Sequence, residues 1–151
     1  MERELIELAS AFFGPLGLGI LFHLRGGLLL PAALGGLLNR IVFLAVSETV
    51  GEKILPCLLC SMVTAVYAEC LARILKVPAT ILLLPAIATS APGRMLFFTM
   101  SSLVWGDGNG AWKYGTLTAE YALAVAIGIS LVWALFMIAG KMREELWLKK
   151  R

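Results

Sequence analysis

The stretch PAIATSAPGRM, residues 85–95, decides how this chain is read. It lies inside one of the most apolar runs of the sequence, yet it holds two prolines, a glycine, two hydroxyl side chains and an arginine. Proline removes an amide donor and clashes with the preceding helical turn, so Pro85 and Pro92 both loosen a continuous helix. Pro92 suits the first turn of a new helix, with Ser90 or Thr89 as its cap. Non-helical backbone at membrane depth survives only where it is buried in protein or lines a water-filled cavity. The expectation is a broken helix beside such a cavity, the second half-helix aiming its free N–H groups and positive dipole end into it. Gly93 would then let a ligand approach the backbone, and Arg94 could grip a carboxylate with two parallel hydrogen bonds. Discontinuous helices of this kind hold anionic substrate groups in transporters. The plainer alternative is a proline kink with Arg94 paired to Glu69 or to another chain.

The rest of the chain supports a membrane setting. Its 151 residues are 60% hydrophobic and 15% charged, with a mean hydropathy of +0.87, too few polar groups to cover a soluble domain. The spacing of apolar runs predicts an all-α integral membrane protein, a single domain over residues 1–151 with about five crossings. The spans are 5–24, 28–46, 54–75, a broken 79–104, and 117–142, followed by a charged cytoplasmic tail, 143–151. As one straight helix the fourth would measure about 39 Å against roughly 30 Å of hydrocarbon, and a break near Thr89–Gly93 resolves the excess. WGDGNGAWKYG, residues 105–115, reads as an aqueous or interfacial loop because of its Asp-Gly and Asn-Gly pairs and flanking aromatics. Gly14, Gly17 and Gly19 in the first span, and Ala124/Gly128 and Ser130/Ala134 in the last, offer small surfaces for close helix packing. The start of the chain is net negative through Glu2, Glu4 and Glu7 and lacks a small-residue cleavage site, which favours a retained helix over a signal peptide.

With five crossings, Arg3, Lys53 and Lys113 fall on the N-terminal side. Arg25, Arg73, Lys76, Lys141, Arg143, Lys149, Lys150 and Arg151 fall on the other. The positive-inside rule then places the N-terminus outside and the C-terminus in the cytoplasm of a cell-membrane protein. The dispersed basic residues give no nucleic-acid signature.

Arg40, Arg94 and Glu69 fall in or near the central zone of predicted spans, and each is a site hypothesis because charge in the bilayer must find a partner or water. Glu69 and Arg73 stand i, i+4 with the acid first, which fits an ion pair; Glu69 equally fits a proton-carrying carboxylate in a cavity. Arg40 fits either a helix-packing salt bridge or a substrate-binding cation, and Asn39 either an interhelical hydrogen bond or a cavity lining. Cys57, Cys60 and Cys70 fall in one helix; with no second pair, and His23 the one histidine, packing is the better reading than metal or redox chemistry. No H-E-x-x-H, G-x-S-x-G or acidic metal pair is present, so an enzyme is not expected, and no cofactor is implied.

APGRMLFFTM at 91–100, followed by TAEYALAVAIGISLV at 118–132 and preceded by Arg73 and Pro78, resembles the threonine/serine exporter family over roughly Gly17–Ile138. The order and spacing of Pro92-Gly93, Leu96-Phe97-Phe98-Thr99-Met100 and Ala126-Ile127-Gly128 carry the likeness, which is to the short, five-helix, C-terminal-half type. The resemblance implies a secondary transporter subunit exporting small amino acids or small carboxylates, coupled to a proton or ion gradient. It also implies a larger five-helix partner subunit, or else a homo-oligomer, and an inverted repeat formed by two halves. On the residues above, the substrate site would comprise Thr89, Ser90, Pro92, Gly93, Arg94, Asn39 and Arg40, with Glu69 the candidate for proton coupling. The family often has P-x-x-P-G, where this chain has Thr89 for the first proline, and often a glycine-rich run where this chain has Arg94-Met95. The added arginine points toward a more anionic substrate, such as a dicarboxylate. A non-transporting scaffold subunit of a larger membrane complex is the alternative from a different class.

Overall fold

A computed structural model describes residues 2–50 and 54–148, with side chains over 6–49 and 54–142. Six helices follow one another: α1 (Glu2–Leu21), α2 (Gly26–Val50), α3 (Ile54–Leu75), α4 (Ala79–Ile87), α5 (Gly93–Val104) and α6 (Gly108–Leu148). Residues 51–53, with Lys53, and the last residues of the tail, Lys149, Lys150 and Arg151, lie outside the described residues. So do the side chains of Arg3 and Arg143.

Three helical stretches, Gly26–Thr49, Ile54–Leu75 and Gly108–Met142, are long and apolar enough to cross a membrane. Ala79–Ser90 and Gly93–Val104 make a fourth span if taken as one, bent by 57° at the break. The chain is thus an all-α, multi-pass membrane bundle with three to four apolar spans. The apolar part of α1, Ile6–Leu21, covers about 24 Å, short of the roughly 30 Å of hydrocarbon.

The helices form a chain of neighbours. α2 packs on α1, α3 and α4; α3 also packs on α4 and α6; α5 lies along α6. Small residues allow this closeness, because lipid gives apolar helices no hydrophobic drive to associate and contact area must come from near approach. One core cluster joins Ala32, Ala65, Ala68, Ala72, Leu82, Leu83 and Val132; a second joins Cys57, Tyr121, Ala124 and Val125. At the tightest crossing of α3 and α6, a Cβ on Gly128 would stand 2.0 Å from the Ser61 Oγ and 2.8 Å from the Leu58 carbonyl. Gly36 plays the same part between α2 and α1, where a Cβ would meet Pro15 at 2.2 Å and the Ala11 carbonyl at 2.7 Å. Of the expected small surfaces, Ala124 and Gly128 are buried while Ser130 and Ala134 face outward. Gly19 meets Leu24 and Leu29, whereas Gly14 and Gly17 have open space beside them. Cys57 and Cys60 are buried in the packing as free thiols, and Cys70 is exposed.

One expected loop is helix. The chain turns at Gly106 (φ +73°), and α6 begins at Gly108 instead of Leu117. Asp107 explains the difference: its carboxylate accepts the Gly110 N–H at 3.0 Å and its carbonyl the Ala111 N–H at 3.0 Å, so the Asp-Gly pair starts a helix in place of a free turn. The first turns of α6 then pack on α5, with Phe98 and Tyr114 rings 5.3 Å apart. At its other end α6 continues to Leu148, so the expected tail begins as helix. Its 41 residues extend about 60 Å, roughly twice the hydrocarbon thickness.

Candidate functional site

The break expected near Thr89–Gly93 is present and local. After α4 a single 3-10 turn, Ala88–Ser90, leads into extended Ala91 (φ −60°, ψ 132°) and Pro92, and α5 starts at Gly93. The expected capping is not what occurs. Pro92 occupies the cap position of α5 with no side-chain hydrogen bond. Thr89 Oγ1 donates back to the Ala86 carbonyl at 2.9 Å, and Ser90 Oγ donates to Asn39 Oδ1. Both hydroxyls are engaged on the α4 side, because the 3-10 turn brings them over carbonyls and over α2 before the chain reaches Pro92.

Ser90 belongs to a polar ladder that crosses three elements. Asn39 accepts from Ser90 and donates through Nδ2 to Thr64 Oγ1 at 2.9 Å; Thr64 donates to the Cys60 carbonyl at 2.7 Å. The Cys60 thiol closes the circuit at 3.5 Å from Ser90 Oγ. Asn39 (1% exposed) and Thr64 (0%) are sealed from solvent, where an unmade hydrogen bond costs about 1–3 kcal/mol. The ladder therefore fixes the break against α2 and α3. It lies about 16 Å from the start of α3, near mid-span.

Beside the ladder is a cavity of about 180 Å³, lined by Asn39, Arg40, Phe43, Cys57, Thr89, Ser90, Ala91, Pro92, Arg94, Met95 and Tyr121. Its volume equals about six waters of liquid, suited to a small metabolite more than to a drug-sized molecule. Two guanidinium-bearing residues line it and no carboxylate does, among the described residues. Arg94 is exposed and rests over the Phe98 ring at 5.9 Å; among the described residues it forms no salt bridge. Arg40 lies over the Phe43 ring at 5.1 Å and pairs with Glu7 of α1.

Six of the seven residues expected at a substrate site thus line one cavity: Asn39, Arg40, Thr89, Ser90, Pro92 and Arg94. Gly93 stands at its edge with open space beside it. Glu69 is elsewhere. It lies on α3 past Thr64, its side chain 19% exposed, 3.8 Å from the Arg73 Nε. With Arg73, Trp133, Phe136 and Met137 it lines a separate, shallower cavity. Cys57, Cys60, Thr64, Tyr121 and Glu7 join the site without having been singled out for it. The i, i+3, i+7 spacing of Cys57, Cys60 and Thr64 does place them on one helical face.

Among the described residues no group of His, Cys, Asp and Glu side chains is placed to hold a metal ion. Comparison with curated proteins and with solved structures finds no match for the chain. The family model described as threonine/serine exporter, ThrE, does match, over residues 7–135. That span runs from the first turns of α1 deep into α6 and includes the break, the ladder and both cavity arginines. A multi-pass bundle with this sequence profile is a transporter-family protein and not an enzyme: the chain belongs to the threonine/serine exporter family.

Proposed function

We propose that the chain is a subunit of a gradient-driven exporter and that the cavity at the break is its binding site for the carboxylate of a small amino acid or dicarboxylate. The observation that carries this reading is the presence of Arg40 and Arg94 around a small cavity whose lining, among the described residues, contains no acid. A carboxylate placed there meets two permanent cations in a low-dielectric setting, with the Asn39–Ser90 ladder supplying polar contacts for an ammonium or hydroxyl group. The side chains of Thr89, Ser90, Asn39, Arg40 and Arg94 are the substrate contacts in this reading, and Pro92 and Gly93 keep the backbone open.

Proton coupling falls to Glu69, a largely buried carboxylate within a span, held only loosely by Arg73. With α1 counted as the first of five crossings, the distribution of basic residues puts the N-terminus outside and the C-terminus inside. A larger five-helix subunit of opposite orientation would complete the inverted repeat. The outward face of α6, with Ser130 and Ala134, and the apolar face of α5 supply surface for it.

The test is flux of threonine, serine and succinate in proteoliposomes containing the chain and any subunit that co-purifies with it. Arg94→Ala is expected to reduce kcat/KM for the transported carboxylate about tenfold, the loss of one charge-assisted contact. Because Arg94 is exposed, rests over the Phe98 ring and forms no salt bridge among the described residues, the thermal midpoint should stay within a degree or two of wild type, on the order expected for a surface change. Unchanged flux would remove Arg94 from the site, and absence of flux under every gradient would leave the scaffold role. Glu69→Gln should abolish uphill accumulation driven by a pH gradient while substrate still protects the protein against heat. Gradient-driven accumulation at the wild-type level would take Glu69 out of the coupling path.

A further inference from the structure

Arg40 is incompletely satisfied. Its Nη2 is held by a Glu7 carboxylate oxygen, while its Nε, sealed from solvent, has no hydrogen-bond partner. Nε and Nη2 lie on the same edge of the guanidinium, the edge that a carboxylate takes with two parallel hydrogen bonds. Glu7 occupies only one of the two positions, and a buried donor left without an acceptor is costly. Arg40 also stands at a boundary. It and Thr89 line both the substrate cavity and a second cavity of about 220 Å³, which is otherwise formed by Glu7, Ser10 and Ala11 of α1. Besides Glu7 and Arg40, the one ionic side chain lining either cavity, among the described residues, is Arg94.

We propose that Glu7 is an internal stand-in for the substrate carboxylate on Arg40, and that the Arg40–Glu7 pair is the partition between the two cavities. This rests on the cavity being the carboxylate site. A substrate carboxylate that takes both Nε and Nη2 satisfies the donor that Glu7 leaves empty and releases Glu7 toward α1. The exchange keeps one carboxylate on Arg40 at all times, so the guanidinium is never left uncompensated in the span, and substrate arrival itself opens the wall.

The test compares wild type with Glu7→Gln in proteoliposomes, again with any co-purifying subunit. Removing the competitor is expected to lower the half-saturating concentration of the transported carboxylate about tenfold, while the maximal rate falls because the substrate is released more slowly. A half-saturation that is unchanged or higher, in a variant of wild-type thermal stability, overturns Glu7 as a competitor. The partition has its own readout. On a Cys70→Ser background, Glu7→Gln should speed modification of Cys57 by an anionic methanethiosulfonate about fivefold, since access limits a buried thiol. Equal labelling rates overturn the partition. Should the wild type carry none of the three solutes, the transport reading falls, and the labelling rates still decide whether the pair divides the cavities.

Discussion

Asn39→Asp is expected to abolish carboxylate transport, with at least about a hundredfold loss in kcat/KM, although the two side chains have nearly the same shape. Asn39 works in both directions: it accepts from Ser90 and donates to Thr64 at 2.9 Å. A carboxylate can only accept. Thr64 already spends its own proton on the Cys60 carbonyl at 2.7 Å, so an aspartate would face a lone pair across the interface of α2 and α3. The new charge would also lie beside Arg40 in the lining of the cavity and supply an internal counter-ion at the site proposed for the anionic substrate. Asn39→Ala separates the two effects. It removes both bonds without adding charge and should lower stability by about 2 kcal/mol, with a smaller transport defect. Flux assays and thermal unfolding of the two variants in detergent check the pair. Wild-type transport by Asn39→Asp would show that the anion does not bind beside the ladder.

Gly128→Ala should strongly destabilise the α3–α6 interface. The added carbon would fall 2.0 Å from Ser61 Oγ and 2.8 Å from the Leu58 carbonyl oxygen. Ser61 has little room to turn, being fully buried and donating to that same carbonyl at 2.8 Å. The helices must therefore move apart. Overpacking of this kind costs about 1–3 kcal/mol, and here the upper part of that range is expected because one of the clashing atoms is backbone. Separation would also carry Tyr121 away from Cys57 in the second core cluster and so widen the cavity that both of them line. Thermal unfolding measures the first effect. A loosened preference between threonine and larger amino acids measures the second.

These predictions depend on features that differ in how openly the sequence displays them. The broken helix is legible because its causes are local: Pro92 and Gly93 disrupt helical backbone whatever surrounds them. The convergence of Asn39, Arg40, Ser90 and Arg94 follows from the same logic, since polar groups in a span must gather. What each one bonds is not local. Ser90 has the chemistry of a helix cap, yet its hydroxyl turns to Asn39, 51 positions away, because α2 packs against the 3-10 turn. Glu7 in the sequence is one of several acids near the start of the chain. That it reaches Arg40, 33 positions on, is set by the packing of α1 on α2 through Gly36. Asp107 could equally open a tight turn or begin a helix. The Asp107 bonds to the Gly110 and Ala111 N–H groups, together with the packing of α5 on the first turns of α6, favour the helix, which moves its start from Leu117 to Gly108.

The joint between the 3-10 turn and α5 has a mechanical consequence. The hydrogen bonds that span it, Ala91 N–H to the Ala88 carbonyl and Gly93 N–H to the Ala91 carbonyl, are short-range turn contacts, and α5 finds its packing along α6. The 12 residues of α5 form a lever about 18 Å long. A swing of about 10° at Ala91–Pro92 carries its far end by about 3 Å and stretches no helical hydrogen bond. Arg94 rides at the fulcrum end, so the same swing barely displaces its backbone while it re-aims the long side chain. The joint thus supplies a pivot beside the cavity proposed for the substrate, and movement of α5 along α6 would be geared to the aim of Arg94.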